Sequence, residues 1–335
     1  MEKVNDLVKN LACHEAQKLT IAESIEDIHH HIPFFKIEGE QVLVGGFKHH
    51  DNANRMIFWA KYLQTHILPF MPKNGALNGY YNIELHDSYS HIPRIVEARE
   101  KNETEPIDEY KNCLVWSRHK EDNDVVLLPD LYHMINYNNR LENNTDHYVW
   151  EQKNDKIGFW GTTTGHMDAR RNNRIQTCLW FDTLDPSHTL SDCYITNIAQ
   201  MTYADIIERV PNFQRIKKNP VILPFQYNYK FLLDIPGNTC SWDRVPHIMH
   251  SRSLLLKMPC EDMCFYYPLL KDGETHVEVD KDTVFKKREY FLQNPREAKH
   301  ITQKAIVFSD AVFNGGVARS YIRTLFEEVA YLKGK

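Results

Sequence analysis

The chain has 335 residues, of which 42% are hydrophobic and 25% are charged. These proportions are typical of globular proteins, so they exclude a disordered or fibrous chain, and the length suffices for about two domains at ~150 residues each. The 40 basic and 45 acidic residues give a net charge of −5. Because no strongly basic block is present, nucleic acid is not an expected partner.

The amino-terminal segment mixes acidic and basic residues and has no apolar core of the kind found in secretory signals. Of the seven cysteines, only Cys260 and Cys264 lie close together, which favours a reducing compartment over a disulfide framework. No apolar run reaches the ~18 residues that a membrane-spanning helix needs. These features predict a cytoplasmic protein.

The first half of the chain alternates helical and strand-like patterns. Residues 1–30 carry apolar residues on one helical face, and residues 54–67 predict a second helix. Short apolar runs predict strands at residues 41–44, 80–85, 113–116 and 125–128. The polar stretches 97–112 and 135–155 are typical of surface loops, and the latter holds the best candidate for a domain boundary.

A second series of elements begins at residue 157. Its strands are predicted at residues 157–160, 193–198, 231–235, 253–258 and 276–279, with helical stretches between them. The carboxyl-terminal segment predicts two helices separated near Gly315 and Gly316. Strands that alternate with helices twice over predict two α/β units with mostly parallel sheets.

In open α/β sheets, ligands bind beyond the carboxyl ends of the strands, so the turns that follow the strands are the places to search. After the strand at 157–160, the turn 161–165 contains two glycines and three threonines and runs on to an arginine-rich helix with Arg170, Arg171 and Arg174. Such a turn can hold an anion, because N–H groups at a helix start point outward and the helix dipole favours negative charge. An ordinary loop with a threonine cap is the alternative interpretation.

A second turn of this kind follows the strand at 231–235. It contains Gly237, and Ser241 and Arg244 lie three residues apart at the start of the next helix. Ser241 is placed to cap that helix, and Arg244 is placed to make a bidentate contact with a phosphate. A capped surface helix without ligand is again the alternative.

Asp87 follows the strand at 80–85. A carboxylate at a strand end is where a general base is found, although most such aspartates simply form turns.

Two patterns that could indicate a metal site are weaker. Asp122-Asn123-Asp124 precedes an apolar run instead of following it, which favours a polar turn. The histidines at 29–31, 86 and 91 lack an HExxH or paired-cysteine pattern, which favours composition over a zinc site.

Three stretches of the chain, residues 159–174, 229–244 and 253–270, resemble glycosyltransferase family ninety in their order. That family comprises fungal capsule-associated proteins, protein O-glucosyltransferases of the Rumi type and bacterial lipopolysaccharide glycosyltransferases. The similar motifs are Trp160-Gly161, Thr163-Thr164-Gly165, Tyr229-Lys230-Phe231-Leu232, the turn with Gly237, Ser241 and Arg244, Arg252-Ser253-Leu254, and Tyr266-Tyr267-Pro268-Leu269-Leu270.

The resemblance implies an α/β fold of the GT-B type, in which two Rossmann-like domains face a central cleft. Residues 1–150 would form the acceptor-side domain and residues 151–335 the nucleotide-sugar-binding domain, with the last helix packing back on the first. The residues implied in donor binding are Thr163, Thr164, Gly165, Arg174, Gly237, Ser241 and Arg244. Asp87 would be the base that deprotonates the acceptor hydroxyl.

The activity that the resemblance implies is an inverting, metal-independent transfer of a sugar, glucose or xylose, from a UDP-sugar to a hydroxyl of a surface glycan or lipopolysaccharide. The UDP-sugar is then the donor substrate, no cofactor or metal is expected, and the other partners are a saccharide or glycolipid acceptor and a membrane surface in peripheral contact. Two other functions stay open: a non-catalytic module that binds a nucleotide or sugar, and a zinc-dependent hydrolase that uses the histidines.

Three features depart from the family pattern. No arginine stands between Trp160 and Gly161, so either Arg170 or Arg171 supplies that phosphate contact or the contact is missing. The spacing between Ser241 and Arg244 is one residue longer than usual. The chain ends without an endoplasmic-reticulum retention signal, which favours a bacterial or viral surface-glycan enzyme over protein O-glucosylation.

Overall fold

The computed structural model of the chain describes residues 2–27, 32–45, 53–85, 87, 95, 97, 101, 110–135 and 145–334. The chain divides into two compact units. The first unit comprises Met1–Tyr137, Glu261–Leu269 and Asn314–Lys335, and the second comprises Asn138–Cys260 and Leu270–Phe313. The domains 1–150 and 151–335 remain predictions. Within the described ranges, no helix is both long and apolar enough to cross a membrane.

The strands in chain order are β1 (Phe34–Glu38), β2 (Gln41–Gly45), β3 (Gly79–Asn82), β4 (Leu114–Val115), β5 (Arg118–His119), β6 (Val126–Leu127), β7 (Asn154–Thr162), β8 (Ser191–Asn197), β9 (Tyr229–Asp234), β10 (Leu254–Lys257), β11 (Asp262–Met263) and β12 (Val277–Glu278). The helices are α1 (Glu2–Ala16), α2 (Ala53–His66), α3 (Leu131–Met134), α4 (Asn173–Leu184), α5 (Tyr203–Arg209), α6 (Phe213–Ile216), α7 (Leu223–Gln226), α8 (Arg244–His250), α9 (Val284–Gln293), α10 (Pro295–Val312) and α11 (Gly315–Lys333).

The largest sheet of the first unit is antiparallel, with the strand order β2-β1-β3. Only Gly39 and Glu40 connect β1 to β2, and Gly39 adopts a φ of 61° there. A connection this short can join only antiparallel strands. The prediction of a mostly parallel sheet is therefore wrong for this sheet, because the strand Phe34–Glu38 and its tight turn went unpredicted. The small pair β4-β6 is parallel.

The core of the first unit forms between this sheet and its helices. Phe35 of β1 stacks on Tyr81 of β3, with the ring centroids 4.8 Å apart, and the edge of Trp59 from α2 packs against Phe35. The first and last helices, α1 and α11, pack together in the same unit. Two side chains attach these helices to β6: the Glu15 carboxylate accepts from the Leu127 N–H, and the Tyr321 hydroxyl donates to the Leu127 carbonyl.

The second unit contains a five-stranded parallel sheet in the order β12-β10-β9-β7-β8. Its strands alternate with helices along the chain, which confirms the mixed α/β class predicted from the sequence. The central strands are apolar on both faces, as in β10 with Leu254-Leu255-Leu256, because helices cover a parallel sheet on both sides. Phe159, Phe231 and Leu233 belong to its largest apolar cluster.

The predicted break between the last two helices is confirmed. Helix α10 ends at Val312 and α11 begins at Gly315, where the Asn314 side chain accepts a hydrogen bond from the Val317 N–H. An asparagine at this position supplies an acceptor to the otherwise unpaired N–H groups of a first helical turn.

Candidate anion-binding site

The order of the strands in the parallel sheet places a ligand crevice between β7 and β9. Numbered by position in the chain, the five strands run 5-4-3-1-2 across the sheet. In sheets of this order, the connections leave to opposite sides at the boundary between strands 1 and 3, and a crevice opens beyond their carboxyl ends. Here those strands are β7 and β9, and the two turns singled out from the sequence follow them.

The two turns lie against each other. The Gly165 N–H donates to the side-chain oxygen of Asn238 over 2.8 Å. A Cβ atom on Gly237 would lie 2.7 Å from the Thr164 hydroxyl oxygen and 3.0 Å from Cζ of Arg174. Gly237 is therefore required by close packing, whereas Gly165 is required by its backbone, which has a φ of 133°.

Arg174, in the first turn of α4, connects the ends of both strands. Its Nε donates to the Ile235 carbonyl over 3.1 Å, and its Nη1 donates to the Thr162 carbonyl over 3.2 Å and to the Thr164 hydroxyl. Burial, followed by the positive charge of Arg244, lowers the pKa of Arg174 to about 10. The lowered pKa means that the surroundings destabilise the charged form of this guanidinium, which a nearby anion would offset.

Arg244 begins α8 and lies at the same edge of the sheet. Its Nη2 donates to the Trp160 carbonyl over 2.7 Å, and its Cζ lies 4.6 Å from the centroid of the Phe159 ring. Burial lowers the pKa of Arg244, while the charges of Asp234 and Asp243 act in the opposite direction. Two partly buried, like-charged guanidinium groups that interact electrostatically favour the binding of an anion.

Ser241 does not cap the helix that follows it, so this prediction is wrong. The helix begins at Arg244, after Asp243, and no side chain caps it. The Ser241 hydroxyl instead donates to Oδ1 of Asp234, a buried carboxylate at the end of β9. A buried carboxylate needs hydrogen-bond donors, so the serine contributes to the site by satisfying Asp234.

The turn after β7 is fixed by internal hydrogen bonds. The buried Thr163 hydroxyl donates to the Ala199 carbonyl over 2.9 Å and accepts from the Ala199 N–H over 2.8 Å. The Gly165 N–H also donates to the side-chain oxygen of Gln200 over 3.1 Å. Gln200 holds a φ of 67°, which is uncommon for a residue other than glycine.

The sequence predicted that the turn 161–165 runs directly into the helix, and this prediction is wrong. Residues 166–172 intervene, and the side chain of Asn172 caps α4 by accepting from the Ile175 N–H. Arg170 and Arg171 therefore precede the helix. Arg170, one of the two arginines expected to replace the missing family arginine, is exposed and paired with Asp168 over 2.8 Å. A phosphate contact by Arg170 or Arg171 remains a prediction.

Asp87 belongs to the first unit, whereas the seven donor-side candidates all belong to the second. Its Oδ1 accepts from both terminal nitrogens of Arg55, at 3.3 and 3.2 Å, and its carbonyl accepts from the Ser117 hydroxyl over 2.7 Å. Arg55 also donates to the Leu85 carbonyl and lies over the Trp116 ring. The Asp87 side chain is 34% exposed, so a substrate can reach it.

Sequence reasoning missed Arg55, Asp234, Gln200 and Asn238. Asp234 lies inside the strand predicted at 231–235, whereas the observed strand ends at Asp234, so the rule that selected Asp87 did not select it. Arg55 lies inside a predicted helix more than 30 positions before Asp87, and no local pattern connects the two.

Within the part of the chain that the structure describes, no group of three or more His, Cys, Asp or Glu side chains is arranged to hold a metal ion. The histidines at 29–31, 86 and 91, on which the zinc alternative depends, lie outside the described residues.

No protein-family model and no curated protein matches the chain. Among solved structures, it is similar to TarM, with a TM-score of 0.37 and 12% identity over 64% of this chain and 40% of that one. It is also similar to sucrose-phosphate synthase from Thermosynechococcus elongatus, with a TM-score of 0.43 and 11% identity over 73% of this chain and 67% of that one. A third is WaaG, a glycosyltransferase involved in lipopolysaccharide biosynthesis, with a TM-score of 0.35 and 8% identity over 69% of this chain and 68% of that one. TM-scores this low do not establish a common fold, and the match spans only two fifths of TarM.

Proposed function

We propose that the chain is an inverting glycosyltransferase of GT-B architecture that transfers a sugar from a UDP-sugar to a hydroxyl group of a glycan acceptor. The observation that carries the proposal is the pair Arg174 and Arg244 at the β7–β9 crevice. Their two positive charges are partly buried, lie close enough for one to lower the pKa of the other, and border two glycine turns. A diphosphate carries the negative charge that such a pair attracts.

The arginine pair can assist the reaction without a metal ion. When the bond between the anomeric carbon and the diphosphate breaks, negative charge develops on the leaving group. Preorganised positive groups lower the barrier by stabilising that charge. Arg174 is preorganised by its bonds to Ile235 and Thr162, and Arg244 by its bond to Trp160 and its packing on Phe159.

Asp87 is the base in this proposal. It would accept the proton of the acceptor hydroxyl while that oxygen attacks the anomeric carbon, and Arg55 and Ser117 would hold it in place. The family resemblance supports the sugar (glucose or xylose), the acceptor (a surface glycan or lipopolysaccharide) and a location at the cytoplasmic side of a membrane.

One observation favours the alternative of a non-catalytic binding module. A carboxylate oxygen of Asp87 is already engaged by Arg55, which is also how a purely structural aspartate is held. The two functions predict different results when Asp87 is replaced. A transferase requires Asp87 for turnover, whereas a binding module retains its only activity, ligand binding, without it.

The proposal is tested by thermal unfolding with UDP, in the presence and absence of EDTA. UDP at ~100 times its dissociation constant should stabilise the native state by about 2.7 kcal/mol. We expect this shift to persist in EDTA and to disappear in Arg244→Met. The exposed Arg170 provides the matched control, because Arg170→Met removes an equal charge outside the crevice. Absence of a UDP shift in the native chain would refute the proposal, and a shift that EDTA abolishes would refute its metal-free form.

A further inference from the structure

A cavity of about 180 Å³ lies beside the arginine pair in the second unit. Leu232 of β9 lines it together with Gln226 and Tyr227 at the end of α7, and with Arg244 and Ile248 of α8. At ~30 Å³ per water molecule, the space corresponds to about six waters. It is therefore large enough for one six-membered ring.

Gln226 is a polar residue of this cavity wall. Gln226 is only 9% exposed, and its side-chain amide has no hydrogen-bond partner among the described residues. An amide that lines a cavity without a protein partner can hydrogen-bond to a ligand or to water there.

Arg244 is shared by the cavity and the anion site. Only its Nη2 donates a hydrogen bond, to the Trp160 carbonyl, and Nε and Nη1 have no acceptor in the described part of the chain. The charge of the neighbouring Asp243, which also lines the cavity, offsets that of Arg244. The cavity therefore suits a ligand that is rich in hydrogen-bonding groups.

We propose that this cavity is a monosaccharide subsite that uses Gln226 as its specificity-determining residue. The polar side chains of the cavity wall are Gln226, from one segment, and Asp243, Arg244 and His247, from another. Hydrogen-bonding groups distributed around a ring match them better than the single polar edge of a nucleobase does. Each sugar hydroxyl both donates and accepts, which suits an amide, a carboxylate and a guanidinium together. Leu232 and Ile248 provide apolar contact for the C–H groups of the ring.

The subsite adjoins Arg244, so the sugar that it binds is the one attached to the diphosphate; this assignment to the donor rests on the proposed function. A single unbranched pentose or hexose fits the volume of the cavity.

The test compares the affinities of UDP, UDP-glucose and UDP-xylose for the native chain, for Gln226→Leu and for Gln303→Leu, measured by isothermal titration calorimetry. Gln303 is an exposed glutamine of α10 and controls for the chemical change. We expect Gln226→Leu to weaken the better-bound UDP-sugar ~10-fold, the effect of losing one good hydrogen bond, and UDP less than twofold. Equal weakening of UDP and UDP-sugar, or no weakening of either, would overturn the subsite. Gln226→Glu, a substitution of nearly the same shape, repeats the comparison if the leucine variant does not fold.

The outcome for the subsite can be separated from the outcome for the proposed function. If the native chain binds neither UDP nor a UDP-sugar, the proposed function fails, and free glucose and xylose become the probes in saturation-transfer NMR. Transfer to either sugar that is present with the native chain and with Gln303→Leu, but lost with Gln226→Leu, supports the subsite by itself. Absence of transfer with the native chain shows that water alone fills the cavity and overturns it.

Discussion

Arg174 and Arg244 connect the ends of β7 and β9 through hydrogen bonds to main-chain carbonyls. Arg174 belongs to the helix that follows β7 and donates to the carbonyl of Ile235, immediately after β9. Arg244 belongs to the helix that follows β9 and donates to the carbonyl of Trp160, within β7. Each guanidinium thus binds at the strand that precedes the helix of the other arginine. Together the two side chains cross-link the strands between which the crevice opens.

The first prediction concerns the unequal contributions of these arginines to stability. Arg174→Met removes a donor from each of the Ile235 and Thr162 carbonyls, whereas Arg244→Met removes one from the Trp160 carbonyl and the contact with the Phe159 ring. An acceptor left unsatisfied in a buried position costs about 1–3 kcal/mol. We expect urea unfolding to show a loss of ~3 kcal/mol for Arg174→Met and about half as much for Arg244→Met. Equal losses would show that the cross-links are not what stabilises this edge.

The second prediction concerns Gly237. In Gly237→Ala the new methyl group would lie 3.0 Å from Cζ and Nη2 of Arg174 and 2.7 Å from the Thr164 hydroxyl oxygen. Since the guanidinium is held by two carbonyls, it can move only by losing a hydrogen bond. We expect UDP affinity to fall ~10-fold or more, the equivalent of one hydrogen bond. Gly334→Ala, where the nearest atom is 3.5 Å away, is the control and should bind UDP normally.

The third prediction separates binding from catalysis. Asp87→Asn retains the size of the side chain and can still accept from Arg55, but it cannot take a proton. General-base catalysis is typically worth ~10²–10⁴-fold. We expect sugar transfer, measured as UDP release with a saccharide acceptor, to fall ~10²-fold or more while the affinity for UDP is unchanged. Normal transfer by this variant would show that Asp87 is not the base.

The elements that could be predicted are those with a clear sequence pattern of their own. The parallel sheet of the second unit could be predicted because β7, β9 and β10 are apolar runs, each of them followed by a turn. The antiparallel hairpin of the first unit depends on the positive φ of Gly39 in a connection of only two residues, and the sequence alone does not separate such a turn from an ordinary loop.

The same distinction applies to the site. Glycine turns and arginines after strands are visible in a sequence, so Arg174, Gly237 and Arg244 were identified. The role of Ser241 was not, because its acceptor Asp234 becomes available only once the turn folds back on the strand end. Arg55 was also missed, since its contact with Asp87 depends on tertiary packing.

The last prediction concerns His276, a buried residue next to β12. Burial, followed by the charge of Lys257, lowers the pKa of His276 to about 4, whereas an unfolded histidine has a pKa near 6.5. Between these values the unfolded chain binds one proton more than the folded chain, so the free energy of unfolding rises with pH across this interval. The shift in pKa corresponds to ~3 kcal/mol of the free energy of unfolding, present in full above about pH 6.5 and lost as the pH falls to 4.

Urea unfolding at pH 4.5 and 7 should therefore show a pH dependence smaller by ~2–3 kcal/mol in His276→Asn, whose amide can replace Nδ1 in the contact with the Thr275 hydroxyl. Because the surface carboxylates titrate equally in both chains, an identical pH dependence of the native and variant chains would show that His276 is not buried in its neutral form.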